Sequence, residues 1–282
     1  MRVWLSHTRD KLNLLYDMHV HTSDSPDADI PAWSLVQMGR ENNLRGIGFV
    51  AHLDLNPEDF CYNSFNADTY DESINRAESE AGGKLSVMKG LEVGEPHKYE
   101  KQVKDLVDYS NYDFITGALH TVENIGMILG KEAYSDGDPL EILEEYYSET
   151  LRMVEVSDID ILAHMGLFRR GLALAGLRYD FNEMHLWPET IDNILRVLID
   201  RNIALELNTS GLRRKEKVTY PIPAILDHYR RLGGTLITVG SDTHREPHVF
   251  FGLSRGAALL LQTGFKEAYS FIDREPQAFR LG

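Results

Sequence analysis

Hydrophobic positions along the chain fall into two alternating kinds of segment. Short runs rich in Val, Ile, Leu and aromatic residues occupy 12–18 (LNLLYDM), 45–51 (RGIGFVA), 84–94 (KLSVMKGLEVG), 112–119 (YDFITGAL), 158–164 (DIDILAH), 202–208 (NIALELN) and 234–240 (GTLITVG). Between them lie longer stretches in which apolar residues recur at helical spacing: 31–43, 69–81, 100–110, 139–157, 188–202 and 223–233. Several of these open on a proline, including Pro31, Pro139, Pro188 and Pro223, where a missing N–H is harmless in the first helical turn. The runs read as strands and the stretches as helices. Strict alternation of the two predicts a parallel sheet covered by helices, either a barrel or an open doubly wound sheet.

No G-x-G-x-x-G follows the first strand, and Gly46, Gly48, Gly90 and Gly94 are too scattered to cradle a phosphate. The dinucleotide-binding form of the open sheet is therefore disfavoured. The first strand instead runs into D-M-H-V-H-T, placing Asp17, His19 and His21 at alternate positions that an extended chain points the same way. One H-x-H is a weak signal. It gains weight because the other strands end similarly: A-H-L-D with His52, G-L-E-V-G-E with Glu92, A-L-H-T with His120, A-H-M-G with His164 and S-D-T-H with Asp242 and His244. The sixth strand ends E-L-N-T-S-G, where Glu206 is its only acid. In an α/β barrel these ends meet on one rim, the rim that carries active sites.

The chain has 11 histidines, and six of them (19, 21, 52, 120, 164 and 244) stand at these ends. His7, His185 and His228 do not, and read as ordinary polar residues. Imidazoles mixed with carboxylates suit zinc, manganese or iron. The donors are too many for one tetrahedral ion, so two or three divalent ions are expected, with Glu92 on a central strand as the bridge. Such a cluster suits hydrolysis of a phosphoester by a metal-bound hydroxide.

Length and charge narrow the reading. The 282 residues suit one α/β barrel spanning 1–282. No apolar run is long enough for a membrane span, and no secretory leader is recognisable at the N-terminus. A single cysteine, Cys61, excludes an intrachain disulfide and fits a reducing cytoplasm. The formal net charge of −15 repels nucleic acid, which leaves a small phosphate ester as the expected partner, and nothing in the chain fixes an oligomeric state.

The six motifs, in this order from Asp17 to His244, resemble those of the PHP superfamily of hydrolases. I-L-A-H-M-G-L-F-R-R and E-L-N-T-S-G-L-R are similar to its histidinol-phosphate phosphatase branch. The resemblance implies a distorted seven-stranded barrel around a trinuclear metal centre. It implies His19, His21, Glu92 and Asp242 at the first ion, Glu92, His120 and His164 at the second, and His52 and His244 at the third. The family often completes the third site with a histidine where this chain has Asp27, which can ligate in its place. Arg170 and Arg213 match positions expected to clamp the phosphate, with Arg169 and Arg214 as surface neighbours, and Asp242 or His244 is expected to relay a proton to the leaving alkoxide.

The substrate implied is L-histidinol phosphate. Another small phosphate ester or nucleotide on the same scaffold, or a metal-binding module without activity, are the competing readings. Asp54 and Glu95 either receive an ammonium group or are solvated loop acids, the commoner fate. The segment 123–138 is expected to lie over the site.

Overall fold

The computed structural model describes residues 15–135 and 137–281. His7 and positions 12–14 of the first expected strand lie outside the described residues. Strands and helices alternate along the chain: β1 (Tyr16–Val20), α1 (Ala32–Glu41), β2 (Gly46–Leu53), α2 (Ala67–Ala81), β3 (Ser86–Gly94), α3 (Pro96–Leu106), β4 (Phe114–Ala118). A two-residue hairpin, β5 (Thr121–Val122) and β6 (Gly126–Met127), follows, then α4 (Pro139–Val156) and β7 (Ile161–Leu162). The chain continues with α5 (Arg169–Ala175), α6 (Pro188–Asp200), β8 (Ala204–Asn208), α7 (Pro223–Arg231), β9 (Ile237–Gly240) and α8 (Leu253–Gln262), and ends in β10 (Glu267–Ile272) and β11 (Glu275–Arg280).

Seven strands form one parallel sheet in the order β1-β2-β3-β4-β7-β8-β9. The sheet curls until its edges meet at the C-terminal end. There Val20 pairs with Thr243, the His21 N–H donates to the Thr243 carbonyl at 2.9 Å, and the Asp242 N–H donates to the His19 carbonyl at 2.9 Å. The outcome is the barrel of the two arrangements that the alternation allowed, and the distorted seven-stranded form that the resemblance implied.

Inside, the barrel is filled from below. The Phe114 ring lies over β2 and β3, and a methyl group at Gly90 would stand 2.3 Å from it. At Gly48 a methyl would meet both Phe114 and Met18 at 3.0 Å. These glycines make room for the aromatic plug, and the residues two and four positions further along the same faces, His52 and Glu92, emerge above it. Outside, Ile47, Phe49, Leu91 and Leu205 pack against Leu35, Tyr70, Leu195 and Leu226 of the helices, all essentially without solvent contact.

Helix starts follow local chemistry. The Asn66 side chain accepts from the Thr69 N–H at the head of α2, and Asp138 accepts from the Leu140 N–H at the head of α4. The helix expected at 100–110 begins earlier, at Pro96, and stops at Leu106 because Val107 is extended. The strand expected at 158–164 contributes only Ile161 and Leu162 to the ladder. The β10–β11 hairpin and helices α5 and α8 had no counterpart in the periodic reading. The hairpin turns through Asp273 and Arg274, both at positive φ, as a two-residue turn matched to strand twist requires. Arg274 ties it to Asp158 at 2.7 Å and Asp160 at 2.9 Å, at the N-terminal end of the barrel opposite the site.

Candidate metal centre

The strand ends bring all nine expected donors onto one floor. Glu92 stands at its middle. Its Oε2 lies 3.1 Å from His21 Nε2 and 3.4 Å from both His19 Nε2 and His52 Nδ1. Its Oε1 lies 2.7 Å from His164 Nε2 and 3.5 Å from His120 Nε2. A carboxylate on the central strand thus touches five imidazoles from four strand ends, the geometry of a bridging group.

Smaller groupings surround it. The donor atoms of His19, His21 and Asp242 lie within 4.8 Å of one another, as do those of His52, Glu92 and His120, and those of His19, Glu92 and His164. His21, Asp27, His52 and His244 form a fourth group. Asp27, the atypical member, reaches His244 Nε2 at 2.9 Å and His52 Nε2 at 3.6 Å through its Oδ2. The structure therefore brings the expected residues together but groups them differently: Glu92 shares one group with His19 and His164 and another with His52 and His120, and His21 belongs to two groups. Asp17 does not join the donors. Its Oδ1 accepts from the Ser241 N–H at 2.8 Å and helps close the barrel, and burial pushes its carboxyl up to about 7.

Two donors are held at positive φ: His164 at 28° and Asp242 at 54°. For residues with a Cβ this costs about 1–3 kcal/mol each, and the surrounding fold imposes it where a side chain must be aimed.

A second layer of carboxylates orients the imidazoles. Glu206 Oε1 meets His19 Nδ1 at 2.8 Å, and its Oε2 accepts from the His164 N–H at 2.8 Å and from Asn208 Nδ2 at 3.1 Å. Asp54 stands between His52 Nδ1 at 3.1 Å and His120 Nδ1 at 3.3 Å. Glu95 accepts from the His120 and Thr121 N–H groups at 2.7 and 2.9 Å, fixing the turn that carries His120. Asp54 and Glu95 are buried, so neither is a solvated loop acid, and both are already engaged by the protein. The sequence signal for Glu206 was its alternation with Asn208 at a rim strand that, like the strand of Glu92, carries an acid and no imidazole.

The electrostatics of this cluster ask for cations. Burial alone would raise the Glu92 carboxyl, but His19 and His52 hold it well below the usual range. Burial pushes His21 down to about 3, and His244 and His52 add to the shift, so its imidazole is neutral with a free lone pair. Burial also opposes charge on His244, yet Asp242 and Asp27 outweigh it and raise the group to about 9. His19 Nε2 and His21 Nε2 face each other at 3.1 Å, and Glu92 Oε2, Asp27 Oδ1 and His21 Nδ1 are buried without hydrogen-bond partners. Bound metal ions satisfy such converging lone pairs by taking the place of protons. The residues therefore fit a cluster of divalent ions.

Above the floor is a cavity of about 300 Å³. Arg170 and Arg214 form part of its wall, and Phe60, Met127, Leu129, Leu167 and Leu174 supply apolar surface. The segment expected over the site does border it, through Met127, Leu129 and Gly130. The arginines divide differently from the expectation. Arg213 turns away to donate to the Ser241 and Asp242 carbonyls at 2.7 and 2.6 Å, whereas Arg214 lines the cavity. Arg169 is no surface residue: it is buried against Glu183 at 2.6 Å and the Phe181 carbonyl. Burial, with the nearby charge of Arg214 adding to it, lowers the Arg170 guanidinium.

Fold and site together define a metal-binding member of the PHP domain family, to which the chain belongs: the family profile matches residues 17–210. Its relatives are specific. The chain is 29% identical to the probable histidinol-phosphatase of Clostridium acetobutylicum over 232 residues, covering 82% of this chain and 87% of that protein. It is 26% identical to the histidinol-phosphatase of Lactococcus lactis subsp. lactis over 269 residues, covering 94% and 98%. The crystal structure of a Lactococcus lactis histidinol phosphate phosphatase, complexed with zinc, L-histidinol and phosphate, has the same fold. It matches with a TM-score of 0.80 at 23% identity, over 94% of this chain and 99% of that one. Among the described residues no helix is long and apolar enough to cross a membrane.

Proposed function

We propose that the chain is a metal-dependent phosphomonoesterase that hydrolyses L-histidinol phosphate to L-histidinol and phosphate. The observation that carries this reading is the cavity itself: a floor of His and carboxylate donors around Glu92 beside a wall bearing Arg170 and Arg214. The two relatives named above are a probable histidinol-phosphatase and a histidinol-phosphatase. A volume near 300 Å³ suits a small ester.

Two or three divalent ions (zinc, iron or manganese) held by His19, His21, Asp27, His52, Glu92, His120, His164, Asp242 and His244 would supply an activated water and positive charge beside the phosphoryl group. The guanidiniums of Arg170 and Arg214 grip the phosphate oxygens and stabilise the charge that spreads over them during transfer. Arg213 acts indirectly, holding the backbone at 241–242 and so aiming Asp242. Asp242 Oδ1 and His244 Nδ1, 3.2 Å apart at the cavity wall, are the pair placed to move a proton to the leaving alkoxide. The buried free thiol of Cys61 in the same wall suits a reducing cytoplasm.

Phosphate release from histidinol phosphate, beside a panel of sugar phosphates, nucleotides and a generic aryl phosphate, tests the assignment on metal-loaded and chelator-treated protein. The expected result is a clear preference for histidinol phosphate that disappears with the metal. Equal turnover across the panel would sink the substrate assignment, and undiminished activity after verified metal removal would sink the metal centre.

A further inference from the structure

The turn after β7 carries a group of the floor, His164, and a group of the wall, Arg170. Backbone hydrogen bonds make it one continuous piece. The Leu167 N–H donates to the His164 carbonyl at 3.0 Å, the Arg169 N–H to the Gly166 carbonyl at 3.2 Å, and the Arg170 N–H to the Leu167 carbonyl at 3.0 Å. The Arg170 side chain has no hydrogen bond or ion pair among the described residues, so the backbone of α5 sets where its guanidinium starts.

Successive helical residues point about 100° apart. Along α5, Arg169 faces the core, Arg170 and Leu174 face the cavity, and Gly171 faces the segment 127–130. At Gly171 a methyl group would stand 2.2 Å from the Ile128 carbonyl oxygen and 2.9 Å from that of Gly130, so the helix rests directly on that backbone.

On the core side the helix is held by Arg169. Its guanidinium donates to the Tyr179 carbonyl and, at 2.7 Å, to the Phe181 carbonyl, and it pairs with Glu183 Oε1 at 2.6 Å. Both charged side chains are essentially without solvent contact. Glu183 also packs under the start of the turn, 3.6 Å from where a Cβ would stand at Gly166. A buried ion pair is often no more stabilising than well-packed apolar residues of the same volume. What the planar guanidinium fork adds is direction. Its three acceptors all belong to one segment, 179–183, and together they fix one rotation of α5 about its axis.

We infer that Arg169 is a positioning residue: through its buried pair with Glu183 it fixes the rotation of α5 and so the aim of Arg170 at a bound phosphate group. This rests on the phosphomonoesterase reading above and deepens it.

Calorimetric titration of inorganic phosphate into metal-loaded protein reads the aim of Arg170 without turnover, with metal content and melting midpoint recorded for every variant. Arg169→Lys keeps the charge and loses the fork, whereas Glu183→Gln keeps the shape and loses the charge. Each is expected to weaken phosphate binding roughly ten- to hundredfold, the scale of a misplacement by an ångström, with metal content unchanged. In an Arg170→Ala background the same substitutions should cost little more, because the grip they aim is already gone. Should the single variants fail to fold, the apolar double replacement Arg169→Met with Glu183→Leu, which leaves no unpaired buried charge, carries the same comparison. An equal loss of phosphate affinity in both backgrounds overturns the inference. So does a lowered melting midpoint with wild-type phosphate affinity, which would make the pair structural only, and so does a wild type that binds no phosphate. A wild type that binds phosphate yet releases none from histidinol phosphate has instead failed the phosphatase reading, a separate result.

Discussion

Glu206 belongs to no imidazole motif, yet both of its oxygens hold the site. One fixes the His19 ring through Nδ1 and the other holds the backbone of His164. A carboxylate behind a ligating histidine sets its tautomer and raises its basicity. Glu206→Gln is therefore expected to lower metal affinity or kcat/KM by roughly 10–100-fold, read from a metal titration beside the kinetics. An unchanged titration would show that His19 needs no such support.

Glu95 offers a different single-residue prediction. Burial raises its carboxyl from 4.5 to about 7, against the opposing pull of His120. A group with a raised folded-state value stabilises the protein fully below its unfolded value, and that stability is lost as pH climbs through the folded one. In chelator-treated protein, Glu95→Gln should match the wild type below about pH 4.5 and become progressively the more stable of the two between pH 4.5 and 7, the difference levelling off above that. Thermal midpoints at a series of pH values check this, and a pH-independent difference would contradict it.

Among the elements, the strands show where local pattern sufficed. The runs at 45–51, 84–94 and 202–208 became β2, β3 and β8 with small shifts in their bounds, because all three are mostly apolar, with β2 and β8 buried throughout and β3 buried over its C-terminal half. The β10–β11 hairpin was not foreseen because its second strand, EPQAFR, buries only Phe279. Its attachment is tertiary: Arg274 bonds Asp158 and Asp160 across more than a hundred residues of chain. Arg274→Ala removes charged hydrogen bonds and leaves Asp160 without its cation. It is expected to reduce stability by about 2 kcal/mol, lowering the melting midpoint by several degrees, while kcat/KM stays near the wild-type value because the hairpin sits at the opposite end of the barrel. A loss of activity without a loss of stability would be the contrary result.

For the whole molecule, closure of the barrel and assembly of the metal centre are one event. The hydrogen bonds that join 241–243 to β1 also carry His19, His21 and Asp242 to within reach of Glu92. Ions bound there stabilise the closed barrel by mass action. At an ion concentration about a hundredfold above Kd the gain is roughly 2.7 kcal/mol. Titrating zinc or manganese into stripped protein should raise the melting midpoint progressively, and a midpoint blind to metal would argue against this coupling.

The sequence by itself determined the alternation of elements, the rim on which the chemistry lies, and eight of the nine candidate donors now gathered there, Asp27 having entered only through the family resemblance. Those follow from short-range periodicity and from residue types that have few other reasons to recur at strand ends. Only the tertiary structure decided which arginine enters the cavity, since Arg213 and Arg214 are neighbours in a turn whose direction depends on the carbonyls of Ser241 and Asp242. It likewise decided that Asp54 and Glu95 are buried supports of the histidines. Burial and partnership depend on what the rest of the chain brings to a position, and local patterning does not encode them.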